Sequence, residues 1–359
     1  MITRKQVTSL IINAIIVKML VTFPRSLFSY CGNAVWLAGI YSTGVAFGIF
    51  AIIRKIYVND ANVIGTAEKI GGTAFRIITG TVVFIVLGTN FVSLFRIFPE
   101  IIRLVLLQKT YTEIIGFIFI LALIFGASCG IVSIARVTEI FLPVAGVIFA
   151  AFVLMLFPKT EIDNIFPLFG KGAAAIFVKG LSFMSVFADL LMLNILIPFT
   201  KNLDVYRRSG SHAILIGGAC AVIIALMYGL CYSYPVSSKF LVPIYQLERL
   251  INLGDFFSRL EALFQFVWSI CILLYSTLTI AVMAEVWRES FCLSHSKPLI
   301  APITVGLCGF AVLPQSVNSM IAIENCINSW IYIPAIIIPI IIAIIYKGKM
   351  FHEKQLNDK

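Results

Sequence analysis

The chain has 359 residues, of which 60% are hydrophobic and only 12% are charged, and its formal net charge at pH 7 is +10. A soluble domain carries about twice that charged fraction, so the composition excludes a soluble enzyme or a soluble binding domain. Lys and Arg are spread over the segments between apolar runs and match no nucleic-acid motif. The positive charge therefore indicates membrane topology and contact with lipid head groups, and we expect neither nucleic acid nor a cofactor as a partner.

Apolar runs of near-membrane length recur along the whole chain and predict an all-α integral membrane protein with ten transmembrane helices. No segment between these runs is long enough to bury a separate core, so residues 1–359 are predicted to form a single membrane domain. In chain order, the predicted spans lie at roughly 7–23, 35–53, 77–95, 114–132, 138–157, 177–199, 211–233, 261–284, 298–314 and 327–346.

An even number of spans places both termini on the same side of the membrane. With the termini in the cytoplasm, the inner segments hold more Lys and Arg than the outer ones, so the positive-inside rule favours this orientation and a cytoplasmic tail at 347–359. Two connections, 101–111 and 241–264, are amphipathic and predict helices that lie at the outer surface or re-enter the protein.

Two formal charges, Lys18 and Asp189, fall near the middle of predicted spans, the first and the sixth. Each costs about 2.5–3.5 kcal/mol at the bilayer centre, and such residues usually face a protein interior or a watery cavity. The two helices run in opposite directions, so both charges are expected at comparable depth. They fit a ligand site, a purely structural ion pair, or a Lys18 that snorkels to the head groups.

Polar side chains in three spans are candidate partners of this pair. Ser182, Ser185 and Asp189 are spaced i, i+3 and i+7, which puts them on one stripe of an α-helix. "LGTNFVSLF" in the third span offers Asn90, and "LLYSTLTIA" in the eighth offers Tyr275 and Ser276. Taken singly, each of these is more often a helix–helix hydrogen bond than a ligand contact.

The two charged segments also suggest an internal symmetry. They occupy the first and sixth of ten spans, as expected for two halves of five related as an inverted repeat, with a site at the repeat interface. The repeats would cover about 7–157 and about 177–346. Neither charged segment has the glycines that often accompany an unwound helix.

Several stretches carry a resemblance that covers nearly the whole chain. They include "LVTFPR" at the end of the first span, "NAVWLAGIYSTGVAFGI" in the second, "IARVTEIFLPV", "IDNIFPLFGKG", "FADLLMLNILIPF" and "QLERLINLGDFFSRLEALFQFVW". In this order and spacing, the chain resembles the membrane-embedded B subunit of the nutrient germinant receptors of endospore-forming bacteria.

The resemblance implies the fold of amino acid/polyamine/organocation transporters, with five-plus-five inverted repeats and interrupted helices 1 and 6. It also implies that the protein senses a small nutrient, often an amino acid, in the inner membrane of the dormant spore, together with an A subunit and a lipoprotein C subunit. Asp189 stands where the family commonly has a glutamate. Lys18, in "IIVKM", stands where transporter relatives usually have small residues that expose backbone N–H groups.

The leading hypothesis is therefore a nutrient sensor in which Lys18, Asp189, Ser182, Ser185, Asn90, Tyr275 and Ser276 form the ligand site. A proton-coupled permease for an amino acid or amine is the alternative, because both functions need the same occluded pocket. A scaffold or ion-conducting subunit is a third interpretation, and no acidic ring at a pore mouth favours it. We do not expect an enzyme, because no nucleophile motif, HExxH motif or cofactor signature occurs.

Overall fold

A computed structural model describes residues 1–20, 23–56, 61–240, 242–251, 260–313 and 317–357. The described chain is helical, and an isolated parallel bridge joins Ile2 to Thr200. In chain order, the α-helices are α1 (Arg4–Leu20), α2 (Phe23–Cys31), α3 (Val35–Ile56), α4 (Val63–Val105), α5 (Thr112–Ser128), α6 (Ile131–Leu156), α7 (Ala173–Phe177), α8 (Leu190–Ile195), α9 (Leu203–Cys231), α10 (Pro243–Leu250), α11 (Leu260–Ser290), α12 (Lys297–Val312), α13 (Val317–Trp330) and α14 (Tyr332–Asn357).

Within the described ranges, seven helical segments are long and apolar enough to cross a membrane, as expected for a multi-pass membrane protein. Two further apolar helices, α5 and α12, are shorter. A count of ten requires α1, α5 and α12 as additional spans and stays a prediction. The seven segments are Arg25–Lys55, Val63–Val105, Ile131–Lys159, Ala173–Ile195, Leu203–Cys231, Ala262–Ser290 and Asn325–Lys349.

Helix α4 is much longer than the predicted third span at 77–95. It has 43 residues, and its backbone leaves the helical conformation at Gly71 and at Gly72, where φ is +67° and ψ is −156°. This conformation is accessible essentially to glycine alone, so the sequence "GG" allows the helix to change direction here. The predicted separate helix at 101–111 is wrong, because α4 continues to Val105 and turns follow it.

The predicted sixth span at 177–199 is not one α-helix. Helix α7 leads into a 3-10 helix at Lys179–Phe187, and α8 and a second 3-10 helix at Ile197–Phe199 follow. In a 3-10 helix, residues i and i+3 eclipse one another and residue i+7 points about 120° away. The predicted α-helical stripe of Ser182, Ser185 and Asp189 is therefore wrong.

Other boundaries also differ from the prediction. The first helix ends at Leu20, and the predicted tenth span at 327–346 begins inside α13 and continues in α14 after Ile331. Helix α10 forms the start of the predicted amphipathic segment at 241–264, whereas residues 252–259 lie outside the described part of the chain. Hydropathy alone does not separate two consecutive helices of similar composition.

Helix α1 is the centre of the bundle and packs against α6, α9 and α11. Its buried residues lie on every face, as expected for a helix surrounded by protein. The chain before it is fixed as well, because the Ile2 amide donates to the Phe199 carbonyl at 2.8 Å and the Ser209 hydroxyl donates to the Arg4 carbonyl at 3.1 Å. The start of α1 is thus tied to the segment that follows α8.

Candidate functional site

Lys18 lies in the last turn of α1, where the helix carbonyls carry partial negative charge. Its ammonium contacts two oxygens of the segment that precedes α8: it donates to the Ser185 carbonyl at 3.0 Å and pairs with Asp189 Oδ2 at 3.0 Å. The Lys18 side chain is 14% exposed. The ammonium is directed into the protein, so the snorkelling interpretation is wrong.

Asp189 is fully buried immediately before α8, and its carboxylate accepts three hydrogen bonds. Oδ2 accepts from the Tyr275 hydroxyl of α11 at 2.9 Å in addition to the Lys18 ammonium, and Oδ1 accepts from the Asn90 amide of α4 at 3.3 Å. Four helical elements therefore meet at one carboxylate. Residues from the first, third, sixth and eighth predicted spans thus contact one another, whereas a ligand role for them stays a prediction.

Asp189 lies at the start of a helix and not in the middle of one. It stands between the 3-10 helix Lys179–Phe187 and α8. An anion at a helix N-terminus interacts favourably with the helix dipole. This interruption of the α-helix thus offsets part of the cost of burying the charged pair.

The three predicted serines are placed differently from one another. The Ser182 hydroxyl donates to the Lys179 carbonyl at 2.8 Å, which is a local helix contact. Ser185 joins the cluster through its backbone carbonyl and not through its hydroxyl. The hydroxyls of Ser185 and Ser276 are buried and have no hydrogen-bond partner among the described residues.

Asn13 is a polar residue of α1 that the sequence analysis missed. Its amide is buried and donates to the Cys271 carbonyl of α11 at 3.0 Å. This bond fixes the two helices against each other about one helical turn before Lys18 and Tyr275. The available signal was a lone asparagine inside an apolar span, since such a residue commonly bonds across helices.

Known proteins resemble this chain both in sequence and in fold. The family model described as spore germination protein matches residues 1–320. YfkT of Bacillus subtilis (strain 168), provisionally named as a spore germination protein, is 24% identical over 261 residues, which is 71% of this chain and 70% of YfkT.

Two solved structures share the fold at low sequence identity. Mhp1, a nucleobase-cation-symport-1 family transporter in a closed conformation with bromovinylhydantoin bound, matches with a TM-score of 0.64 at 12% identity, over 91% of this chain and 76% of Mhp1. MhsT in complex with L-phenylalanine matches with a TM-score of 0.57 at 14% identity, over 93% of this chain and 87% of MhsT. None of these relatives is an enzyme. The chain, a multi-pass membrane protein with a transporter fold, belongs to the spore germination protein family of spore permeases.

Proposed function

We propose that this protein is the B subunit of a nutrient germinant receptor and that it senses a small zwitterionic metabolite, with an amino acid as the leading candidate. The observation that carries the proposal is the buried pair of Lys18 and Asp189 at facing helix ends. An amino acid carries one carboxylate and one ammonium on neighbouring atoms. It can therefore replace each partner of the pair by a group of the same charge.

In this mechanism, the ligand carboxylate binds the Lys18 ammonium and the ligand ammonium binds Asp189. Tyr275 and Asn90 already donate to Asp189 and would hold its carboxylate in place during the exchange. The unpartnered hydroxyls of Ser185 and Ser276 are available to further polar atoms of the ligand, and Ser182 lies one turn before Ser185. The ligand alters signalling to the extent that it binds the separated state of the pair better than the closed one.

The same proposal includes the finer architecture. Ten spans arranged as two inverted repeats, about 7–157 and about 177–346, would place the site where the interrupted first and sixth helices face each other. The end of α1 at Leu20 and the 3-10 helix at Lys179–Phe187 support this arrangement. We further propose that the protein resides in the inner membrane of the spore with both termini cytoplasmic, bound to the A and C subunits of the receptor.

The alternative function is a proton-coupled amino acid or amine permease. The observation that favours it is the fold, because both structural relatives are transporters that hold a small molecule. A titratable carboxylate on the ion pair is also the kind of group that a proton-coupled transporter uses.

Purified protein in proteoliposomes separates these two functions. A panel of radiolabelled L-amino acids is offered to the vesicles, with and without an inward proton gradient, and binding and uptake are measured on the same preparation. Saturable binding without accumulation supports the sensor. Gradient-dependent accumulation overturns the sensor in favour of the permease, and the absence of any binding overturns both.

In spores, we expect Lys18→Met and Asp189→Asn to abolish the germination response to nutrient while the protein still reaches the membrane. The reason is that each variant removes one of the two charges that the zwitterion needs. Unchanged nutrient dose-response curves in both variants would contradict the assignment. Immunoblots of spore membranes provide the control for protein level.

A further inference from the structure

A crevice of about 580 Å³ lies between α4, α5 and α12, and neither Lys18 nor Asp189 lines it. It is formed where α4 ends, α5 begins and α12 ends, so all three contribute their termini from the same end of the bundle. Helix termini at one end of a membrane bundle lie near the head groups. The crevice therefore opens where lipid head groups give way to acyl chains.

The charged side chains of this crevice are two arginines and two glutamates, whose charges sum to zero. Arg96 and Glu100 pair with each other within α4. Arg103 and Glu113 are both exposed, and neither forms an ion pair with any other described residue. The exposed Arg103 guanidinium and the exposed Glu113 carboxylate are therefore both available to a ligand that carries one group of each charge.

The apolar side chains lie deeper along the same helices. Phe95 is eight residues from Arg103 along α4, and Ile120 is seven residues from Glu113 along α5. Both spacings correspond to about 10–12 Å of α-helix. Val305 and Cys308 line the deep part from α12. The crevice is thus polar at the helix ends and apolar towards the middle of the bundle, as an amphiphile requires.

From this arrangement we propose that the crevice binds a zwitterionic phospholipid with a primary ammonium, namely phosphatidylethanolamine. The phosphate accepts from the exposed Arg103, the ammonium donates to the exposed Glu113, and an acyl chain lies along Phe95 and Ile120. An anionic phospholipid brings no ammonium, so the Glu113 carboxylate would stay without a counter-charge beside its head group. Charge complementarity therefore favours the zwitterion.

The test is native mass spectrometry of the full-length protein with phosphatidylethanolamine and phosphatidylglycerol of matched acyl chains, mixed in equal amounts. We expect the wild type to retain phosphatidylethanolamine preferentially. Arg103→Gln should lose about tenfold in the retention of both lipids, as for one charge-assisted hydrogen bond. Glu113→Gln should lose the preference for phosphatidylethanolamine, because it removes the only proposed partner of the ammonium.

Two controls separate this site from general lipid adhesion. Lys109 is an exposed cation in the connection between α4 and α5, and it does not line the crevice. Lys109→Gln should therefore leave lipid retention unchanged. A Cβ at Gly309 or at Gly306 meets no atom within 4 Å, but only Gly309 lines the crevice. Gly309→Leu should therefore expel the lipid without touching a charge, whereas Gly306→Leu should not.

Three outcomes overturn the proposal: equal effects of Lys109→Gln and Arg103→Gln, an unchanged lipid preference in Glu113→Gln, and full lipid retention in Gly309→Leu. A protein partner cross-linked into the crevice in native membranes also overturns it. Gel filtration and the melting temperature of each variant show that the variant is folded.

Discussion

At the scale of single residues, the Asp189 carboxylate decides the chemistry of the site. It is fully buried and accepts hydrogen bonds from Lys18, Tyr275 and Asn90 on three different elements. A buried ion pair contributes little net stability, but the loss of one partner leaves an uncompensated charge in a low-dielectric interior. Because of this asymmetry, single and double variants can distinguish a ligand site from a structural contact.

The asymmetry gives a test based on single and double variants. We expect Lys18→Met alone to destabilise the protein by about 3–5 kcal/mol, because Asp189 stays buried and loses its counter-charge. The double variant Lys18→Met/Asp189→Asn should regain most of this stability and still bind no amino acid. Thermal unfolding in detergent, together with radioligand binding, measures both properties. A double variant that binds normally contradicts the ligand role, and one as unstable as Lys18→Met contradicts the energetic argument.

Tyr275 provides a second test at this scale. Tyr275→Phe keeps the buried ring and removes one hydrogen bond to the carboxylate, so we expect a stability loss of about 1–3 kcal/mol and weaker ligand binding. Tyr206→Phe is the matched control, since Tyr206 is also buried and its hydroxyl contacts Asn194 instead of the charged pair. Isothermal titration, with the amino acid that binds in the proteoliposome panel, should show a change in Kd for Tyr275→Phe only. Equal changes in both variants would place Tyr275 outside the site.

At the scale of elements, an interruption of α-helical structure explains how the charges are accommodated. It is the 3-10 helix Lys179–Phe187 before α8. This interruption frees backbone groups, and the Ser185 carbonyl is one of them, because it accepts from Lys18. The polar backbone thus supplies part of the site. A side-chain pattern cannot reveal such a contribution.

Helix α4 is also interrupted, at Gly71 and Gly72, and this bend gives a prediction at the scale of elements. Gly72→Ala should destabilise the protein by about 1–3 kcal/mol, because the backbone at Gly72 has a conformation that side-chain-bearing residues rarely adopt. Gly44→Ala in α3 is the control, since a Cβ there meets open space and Gly44 lies within a regular helix. The melting temperatures of both variants in detergent measure the difference. An unchanged melting temperature for Gly72→Ala would mean that the bend tolerates a side chain.

At the scale of the whole molecule, the distribution of positive charge and the number of spans determine the topology together. Among the described residues, seven segments have full membrane length, and the predicted count of ten needs α1, α5 and α12 as well. These three helices have 16 or 17 residues and span about 24–26 Å, which is close to the thickness of a hydrocarbon core, so they are long enough with modest local thinning.

The topology can be tested with epitope tags. We expect tags at both termini to be protected from added protease in right-side-out vesicles and digested in inverted ones, because ten spans and the Lys and Arg bias place both ends in the cytoplasm. A tag in the segment between α6 and α7 should show the reverse pattern. Digestion of one terminal tag in each vesicle type would require an odd number of spans.

Much of the fold was predictable from the sequence, because hydropathy is a sum over neighbouring residues. The membrane class and helix α3 follow from the mean hydropathy of neighbouring residues. This helix is predicted at 35–53 and observed at Val35–Ile56. The 43-residue α4, the split between α13 and α14, and the 3-10 helix were not predictable in this way. Those features depend on backbone hydrogen bonds and packing rather than on mean hydropathy.

The sequence by itself determined that Lys18 and Asp189 fall within apolar segments, where a lone charge facing lipid is costly and polar partners are expected. Only the tertiary structure decided which atoms these partners are: the Ser185 carbonyl instead of its hydroxyl, and Tyr275 and Asn90 from two other helices. It also decided that Arg103 and Glu113 line the same crevice. The physical reason is range, because hydropathy acts locally along the chain, whereas a hydrogen bond depends on the distance between atoms that folding brings together.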